Sequence, residues 1–90
     1  MLKLGVIGTG WITKQFVAAA MATKAYQFTA VYSRHQESAQ SFIDSTAPAT
    51  AYTTMDAFLG SDIDVVYIAS PNSLHASQAL AALDADKHVI

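Results

Sequence analysis

The sequence predicts an α/β fold with an open, doubly wound parallel sheet, and three observations support it. Apolar segments typical of strands alternate with segments of helical periodicity through all 90 residues. One segment, residues 64–69, is almost continuously hydrophobic, as in a strand covered on both faces. A glycine turn, Gly8-Thr9-Gly10, joins the first strand to the first helix. Right-handed crossovers then give the expected strand order 3-2-1-4-5.

Strand and helix alternate regularly through the first half of the chain. Residues 2–7 are predicted as the first strand and residues 10–23 as the helix after it. A second strand is predicted over 28–33, where Val, Thr and Tyr favour extended backbone, and a second helix over 36–45. The residues expected to face inwards are Ile12, Phe16 and Ala20 in the first helix and Ala39, Phe42 and Ile43 in the second.

The second half continues the alternation. Its predicted elements are a strand over 50–53, a brief helix between Thr54 and Gly60, the buried strand over 64–69, a helix over 73–85 and a strand from His88. In the last helix, Leu80 and Leu83 stand among alanines that allow close packing on the sheet. Because a fifth strand would be an edge with unpaired backbone groups, we expect residues 1–90 to be the N-terminal part of a longer protein, truncated after strand five.

Composition excludes several classes of function. The 90 residues allow one hydrophobic core, and a net charge of -2 with five Lys and Arg gives no basic surface for nucleic acid. There is no cysteine, and His35, His75 and His88 belong to different elements, so neither a disulfide nor a metal site is predicted. The longest apolar stretch, 17–22, is too short to span a bilayer. We expect a cytoplasmic protein with no membrane partner.

The glycine turn is the first candidate binding element. Glycines at positions 8 and 10, placed between a strand and an amphipathic helix, are typical of turns that hold a dinucleotide pyrophosphate at a helix N-terminus. The third position of the fingerprint is Thr13 rather than Gly or Ala, so a merely structural tight turn remains the alternative. A Walker loop is excluded, because Trp11 follows Gly10 where that loop has lysine.

The end of the second predicted strand bears on the choice of dinucleotide. NAD-preferring folds place a carboxylate there to accept from the ribose 2′-OH, but Glu37 comes later, inside the next helix. Ser33 and Arg34 instead offer a hydroxyl and a guanidinium that suit a 2′-phosphate. The sequence therefore favours NADP over NAD, with an ordinary solvated Arg34 as the alternative.

A third candidate element, Ser70-Pro71-Asn72-Ser73-Leu74-His75, follows the fourth predicted strand. It lies at the carboxyl edge of the sheet, where open sheets of this kind bind ligands. Pro71 is expected to stiffen the turn, while Asn72 and His75 supply polar groups beside the second phosphate and the nicotinamide ribose. The alternative is that Asn72 or Ser73 caps the helix that follows.

These residues together resemble the N-terminal domain of the glucose-fructose oxidoreductase / inositol dehydrogenase (Gfo/Idh/MocA) family. The resemblance spans nearly all 90 residues, and the Pro-Asn-x-x-His element is its most specific part. It implies a Rossmann-type fold and hydride transfer between a nicotinamide and a hydroxyl carbon. The implied cofactor-binding residues are Gly8, Thr9, Gly10, Trp11, Ile12, Ser33, Arg34, Ser70, Pro71, Asn72, Leu74 and His75.

The resemblance also implies what residues 1–90 lack. Family members continue into a Glu-Lys-Pro segment, whose lysine assists catalysis, and then into a substrate domain through which they form homo-oligomers. We therefore expect no catalytic residue here, and binding of NADP or NAD without turnover. A sugar or polyol would be the substrate of the full-length protein. Two alternatives stay open: a stand-alone Rossmann module that senses nucleotide or redox state, and a non-functional fragment.

Overall fold

The computed structural model describes residues 1–70 and 72–90, except for the side chain of Asn72. Pro71 thus lies outside the described residues. The strands are β1 (Leu2–Ile7), β2 (Tyr26–Tyr32), β3 (Thr50–Tyr52), β4 (Val65–Ile68) and β5 (His88–Val89). The helices are α1 (Trp11–Ala22), α2 (Gln36–Asp44), α3 (Met55–Leu59) and α4 (Asn72–Asp84). Among the described residues, no helix is both long enough and apolar enough to cross a membrane.

The five strands form one sheet in the order β3-β2-β1-β4-β5, and every neighbouring pair is parallel. The predicted Rossmann-type fold and strand order are confirmed. β1 is central, and its last residue, Ile7, is paired with Tyr32 of β2 and with Ile68 of β4. Strand order reverses at β1, so the crevice that binds ligands in such sheets falls between the carboxyl ends of these three strands.

Each face of the sheet has its own hydrophobic core. Under α1 and α2, the core consists of Leu4, Val6, Val17, Ala20, Phe28, Val31, Ala39, Phe42, Ile43 and Val65. Under α3 and α4, it consists of Ile7, Ala30, Phe58, Ile63, Val66, Ile68 and Ala82. Gly5 makes room for the second core, because a Cβ there would lie 2.8 Å from the Phe58 ring and 2.9 Å from Ile63 Cδ1.

β1 and β2 are joined with a shift of register. Leu4 pairs with Phe28 and Gly5 with Ala30, so six residues of β1 lie beside seven of β2 and Thr29 is the additional one. The Thr29 hydroxyl is buried and has no hydrogen-bond partner among the described residues. A bulge of this kind disturbs the alternation along a strand. β2 starts at Tyr26, two residues before the predicted start, and ends at Tyr32, one residue before the predicted end.

The predicted inner face of α1 is confirmed at Ala20 but is wrong by one residue at Ile12 and Phe16. Its buried residues are Thr13, Val17 and Ala20, whereas Ile12 is 61% exposed. Phe16 is half-buried at the side of the helix, where its ring stacks on Tyr67 of β4 with a centroid separation of 3.9 Å. Phe16 is thus packed from the side of α1 rather than from the face that lies on the sheet. The four-residue step from Ile12 to Phe16 therefore does not identify the face of α1 that packs on the sheet.

In α4, the predicted close packing of alanines on the sheet is confirmed at Ala82. Ala82 is fully buried against the sheet, whereas Leu80 and Leu83 are 62% and 55% exposed. α4 therefore contacts the sheet through its small residues, and the two leucines lie on its outer side. By contrast, the predicted inward residues of α2, Ala39, Phe42 and Ile43, are all buried.

Candidate nucleotide-binding site

Gly8 is required by the protein's own backbone. Its φ is +112°, in the region that side chains disfavour, and a Cβ there would lie 3.1 Å from the carbonyl oxygen of Ala69. The Gly8 N–H donates to the carbonyl of Tyr32 at 3.3 Å, and the Ala69 N–H donates to the carbonyl of Ile7 at 2.9 Å. The glycine turn is thereby held between the ends of β2 and β4.

Gly10 differs, because no protein atom explains why this position is glycine. It is the N-cap of α1, its φ is -78°, and nothing lies within 4 Å of a Cβ built on it. The first turn of α1 has neither a side-chain cap nor an acidic residue. The first N–H groups of a helix have no intrahelical acceptors. With open space where a Cβ of residue 10 would stand, an anion can come close to the backbone here. This arrangement fits a pyrophosphate.

A cleft of about 540 Å³ opens beside this turn at the carboxyl edge of the sheet. It brings together residues from all three predicted elements: Gly8, Thr9, Ser33, Arg34, Ser70 and Leu74. The Ser33 N–H donates to the carbonyl of Tyr52, and the Ser33 hydroxyl accepts from the His35 N–H at 3.3 Å. These bonds fix the backbone that carries Arg34 into the cleft.

The other predicted site residues lie elsewhere. Gly10 and Trp11 line a neighbouring groove, while Ile12 and His75 are exposed and line neither cavity. The interpretations that involve Pro71 and the Asn72 side chain fall outside the described residues.

Several residues that line the cleft were not predicted from the sequence: Ile7, Tyr32, His35, Ser38, Ala69 and Gln78. Gln78 is the most informative of them, because its side-chain oxygen accepts a hydrogen bond from the Ser70 hydroxyl. It lies four residues after Leu74 on α4, and residues four apart share a helix face. Because Leu74 was already a candidate, that spacing could have identified Gln78 from the sequence.

The charges around the cleft favour an anion. Arg34 is the one residue with a permanent charge among the described residues that line it, and no carboxylate is among them. The salt bridge that the described residues form, between Lys3 and Asp62, lies at the opposite edge of the sheet. The Arg34 guanidinium therefore remains available for a ligand.

Comparison with known proteins agrees with this geometry. The model of an oxidoreductase family with an NAD-binding Rossmann fold, GFO_IDH_MocA, matches residues 2–90. The chain belongs to the Gfo/Idh/MocA oxidoreductase family. Its residues 2–90 are the part that this family model describes as an NAD-binding Rossmann fold, so the family expected from the sequence is confirmed.

The curated relatives that match the whole chain include the following two. An uncharacterized oxidoreductase of Escherichia coli, YgjR, is 50% identical, and a scyllo-inositol 2-dehydrogenase (NADP(+)) of Bacillus subtilis, IolU, is 42% identical. The chain spans 28% of the length of each.

Two solved structures show the same fold. The myo-inositol dehydrogenase of Lactobacillus casei, in complex with NAD(H) and myo-inositol, has a TM-score of 0.90 at 28% identity over 99% of this chain and 27% of its own. The 3-ketoreductase KijD10 of Actinomadura kijaniata, in complex with NADP and TDP-benzene, has a TM-score of 0.91 at 32% identity over 99% of this chain and 28% of its own.

Proposed function

We propose that residues 1–90 are the dinucleotide-binding domain of a longer oxidoreductase that acts on a sugar or polyol, and that they bind cofactor without turnover. The observation that carries this proposal is Gly10, where no protein neighbour accounts for glycine. A phosphate held close to the backbone would account for it. The substrate class is inferred from two similar proteins whose names or complexes contain inositols. No catalytic residue is assigned, because the chain spans only 28% of the length of YgjR and of IolU.

Each part of the cleft has a proposed role. The backbone from Gly8 to Ile12 holds the pyrophosphate, and Ser33 and Arg34 hold the adenosine ribose. The segment from Ser70 to His75 is assigned to the nicotinamide side, and Ser70 and Leu74 are its members that line the cleft. A bound nicotinamide dinucleotide supplies the hydride donor or acceptor of the reaction. The chain's own contribution is to bind and orient this cofactor.

The same site favours NADP over NAD. No carboxylate lines the described cleft to accept from a ribose 2′-OH, whereas Ser33 and Arg34 supply a hydroxyl and a guanidinium. The scyllo-inositol dehydrogenase that is 42% identical is named for NADP. A guanidinium can bind a 2′-phosphate bidentately, an interaction that NAD does not offer.

Calorimetric titration of the chain with NADP and NAD tests the proposal. We expect NADP to bind more tightly, and Arg34→Ala to weaken NADP about tenfold while NAD changes less than about twofold, since one charge-assisted contact is lost. Lys24→Gln, at the opposite edge of the sheet, is the matched control and should change neither affinity. Binding of neither dinucleotide by the unaltered chain would contradict the proposal.

The absence of turnover is tested separately. Purified chain is mixed with NADP and scyllo- or myo-inositol, and absorbance of the reduced nicotinamide is followed. We expect no substrate-dependent signal. Inositol-dependent reduction of NADP by residues 1–90 alone would overturn this part of the proposal and leave the binding part intact.

A further inference from the structure

A second cavity, which we call the α1–α2 groove, lies between the N-terminal part of α1 and the length of α2. It has a volume of about 350 Å³ and is lined by Thr9, Gly10, Trp11, Lys14, Ser38, Ser41, Phe42 and Ser45. Thr9 and Ser38 line both the groove and the cleft, so the two cavities adjoin at these residues. The groove thus extends the candidate cofactor site away from the nicotinamide side.

The lining of the groove has the chemistry of an anion site. Four of its residues carry hydroxyls, Lys14 carries the one charge among the lining residues, and no carboxylate is among them. Lys14 is half-buried, and its N–H donates to the carbonyl of Gly10 at 3.2 Å. The Lys14 backbone is therefore fixed one turn after the glycines.

Ser38 lines one cavity with Lys14 and another with Arg34. It also lines a third cavity together with Arg34, His35, Gln36 and Glu37. Ser38, in the first turn of α2, therefore lines both the cavity that includes Arg34 and the groove that includes Lys14. The described residues include no salt bridge that involves Lys14 or Arg34.

We infer that Lys14 and Ser38, together with Arg34, bind the 2′-phosphate of NADP, so that Lys14 is a second determinant of NADP specificity. This inference rests on the proposed function. A phosphomonoester dianion has three acceptor oxygens, and a guanidinium, an ammonium and a hydroxyl on different elements approach it from different sides. NAD has no group at this position, so Lys14 discriminates between the two dinucleotides.

The test compares Lys14→Gln, Lys14→Arg and Ser38→Ala in titrations with NADP, NAD, 2′,5′-ADP and 5′-AMP. Lys14→Gln should weaken NADP and 2′,5′-ADP about tenfold, leave NAD and 5′-AMP within about twofold, and reduce the salt dependence of NADP binding. Lys14→Arg should keep most of the affinity, and Ser38→Ala should weaken NADP about threefold to fivefold. Lys24→Gln serves as the control for loss of a surface lysine.

The outcomes separate the inference from the proposed function. Equal loss of NADP and NAD affinity in Lys14→Gln, or no loss of either, would overturn the role of Lys14. If Arg34→Ala discriminates between the dinucleotides in the same experiment, the proposed function stands without it. Failure of the unaltered chain to bind any of the four nucleotides overturns both.

Discussion

The two edges of the sheet differ in how their polar groups are paired. At the amino edge these groups bind one another. The Asp64 carboxylate accepts from the Lys3 N–H at 2.8 Å, the Lys3 ammonium bonds to Asp62 at 2.6 Å, and the Lys87 ammonium donates to the carbonyl of Ser61 at 3.1 Å. At the carboxyl edge, α1 begins without a side-chain cap, and Arg34 and Lys14 take part in no salt bridge among the described residues.

The difference indicates what each edge does. Groups that bind one another at the amino edge contribute to folding and leave little for a ligand. Groups at the carboxyl edge leave α1 N–H donors and two cations open to solvent, which favours function over stability. Apart from Gly8, which the backbone itself requires, substitutions at the carboxyl edge should therefore change binding more than stability, and substitutions in the core should do the reverse.

The largest effect on binding is expected for Gly10→Ala. A methyl group there meets no protein atom but occupies the space above the α1 N-terminus. We expect NADP and NAD affinity to fall on the order of 100-fold, about 2.8 kcal/mol, while the free energy of unfolding changes by less than about 1 kcal/mol. Calorimetric titration and denaturant unfolding of the same samples measure both quantities. A large loss of stability with affinity retained would contradict the view that the carboxyl edge serves binding rather than stability.

The opposite result is expected for Gly5→Ala, which makes the matched control. Its Cβ would lie 2.8 Å from the buried Phe58 ring, so the core must shift to accommodate it. Overpacking of this kind costs about 1–3 kcal/mol of unfolding free energy. Affinity for NADP, measured well below the unfolding temperature, should change less than about threefold. A greater loss of affinity than in Gly10→Ala would show that the core and the cleft are coupled.

The smallest effect is expected from pH at the amino edge. The hydrogen bond from Lys3 holds the pKa of the Asp62 carboxyl below its ordinary value and raises the pKa of Lys3. The pair therefore stabilises the fold above the ordinary carboxyl pKa, and this contribution is lost as pH falls through the lowered pKa of Asp62. On the basic side, it is lost as pH rises through the raised pKa of Lys3.

Thermal unfolding of the unaltered chain and of Asp62→Asn measures this contribution. The difference in melting temperature should be small at neutral pH because both groups are exposed, and it should decrease in high salt and in acid. Dinucleotide affinity should be the same in both proteins. A difference in melting temperature that persists in 1 M salt would contradict a simple surface ion pair.

The sequence was sufficient for the fold and for the general position of the site, because both depend on local patterns. Alternating strands and helices gave the strand order, and a glycine turn at the end of a strand must lie at the carboxyl edge. The packing between elements was harder to predict from the sequence. Nothing local shows that Phe16 stacks on Tyr67, or that α4 packs through Ala82 and leaves Leu80 outside.

The same limit applies to the candidate site. Arg34 was predicted because it directly follows a strand, but Ser38, Gln78 and Lys14 line cavities only after helices pack against the sheet. Polar residues at such positions look like any solvated helix face in the sequence. Their relation to the cleft is a property of tertiary structure.

The bulge in β2 determines where this domain tolerates a change in length. Removal of Thr29 would leave Phe28 beside Leu4 and Ala30 beside Gly5, so all the side chains that follow would keep their faces. Removal of any residue between Ala30 and Tyr32 would instead turn the remaining strand over and retract Arg34 by about 3.3 Å from the glycine turn. A deletion at position 29 therefore leaves the carboxyl end of β2, and Arg34 beyond it, at the same place beside the glycine turn.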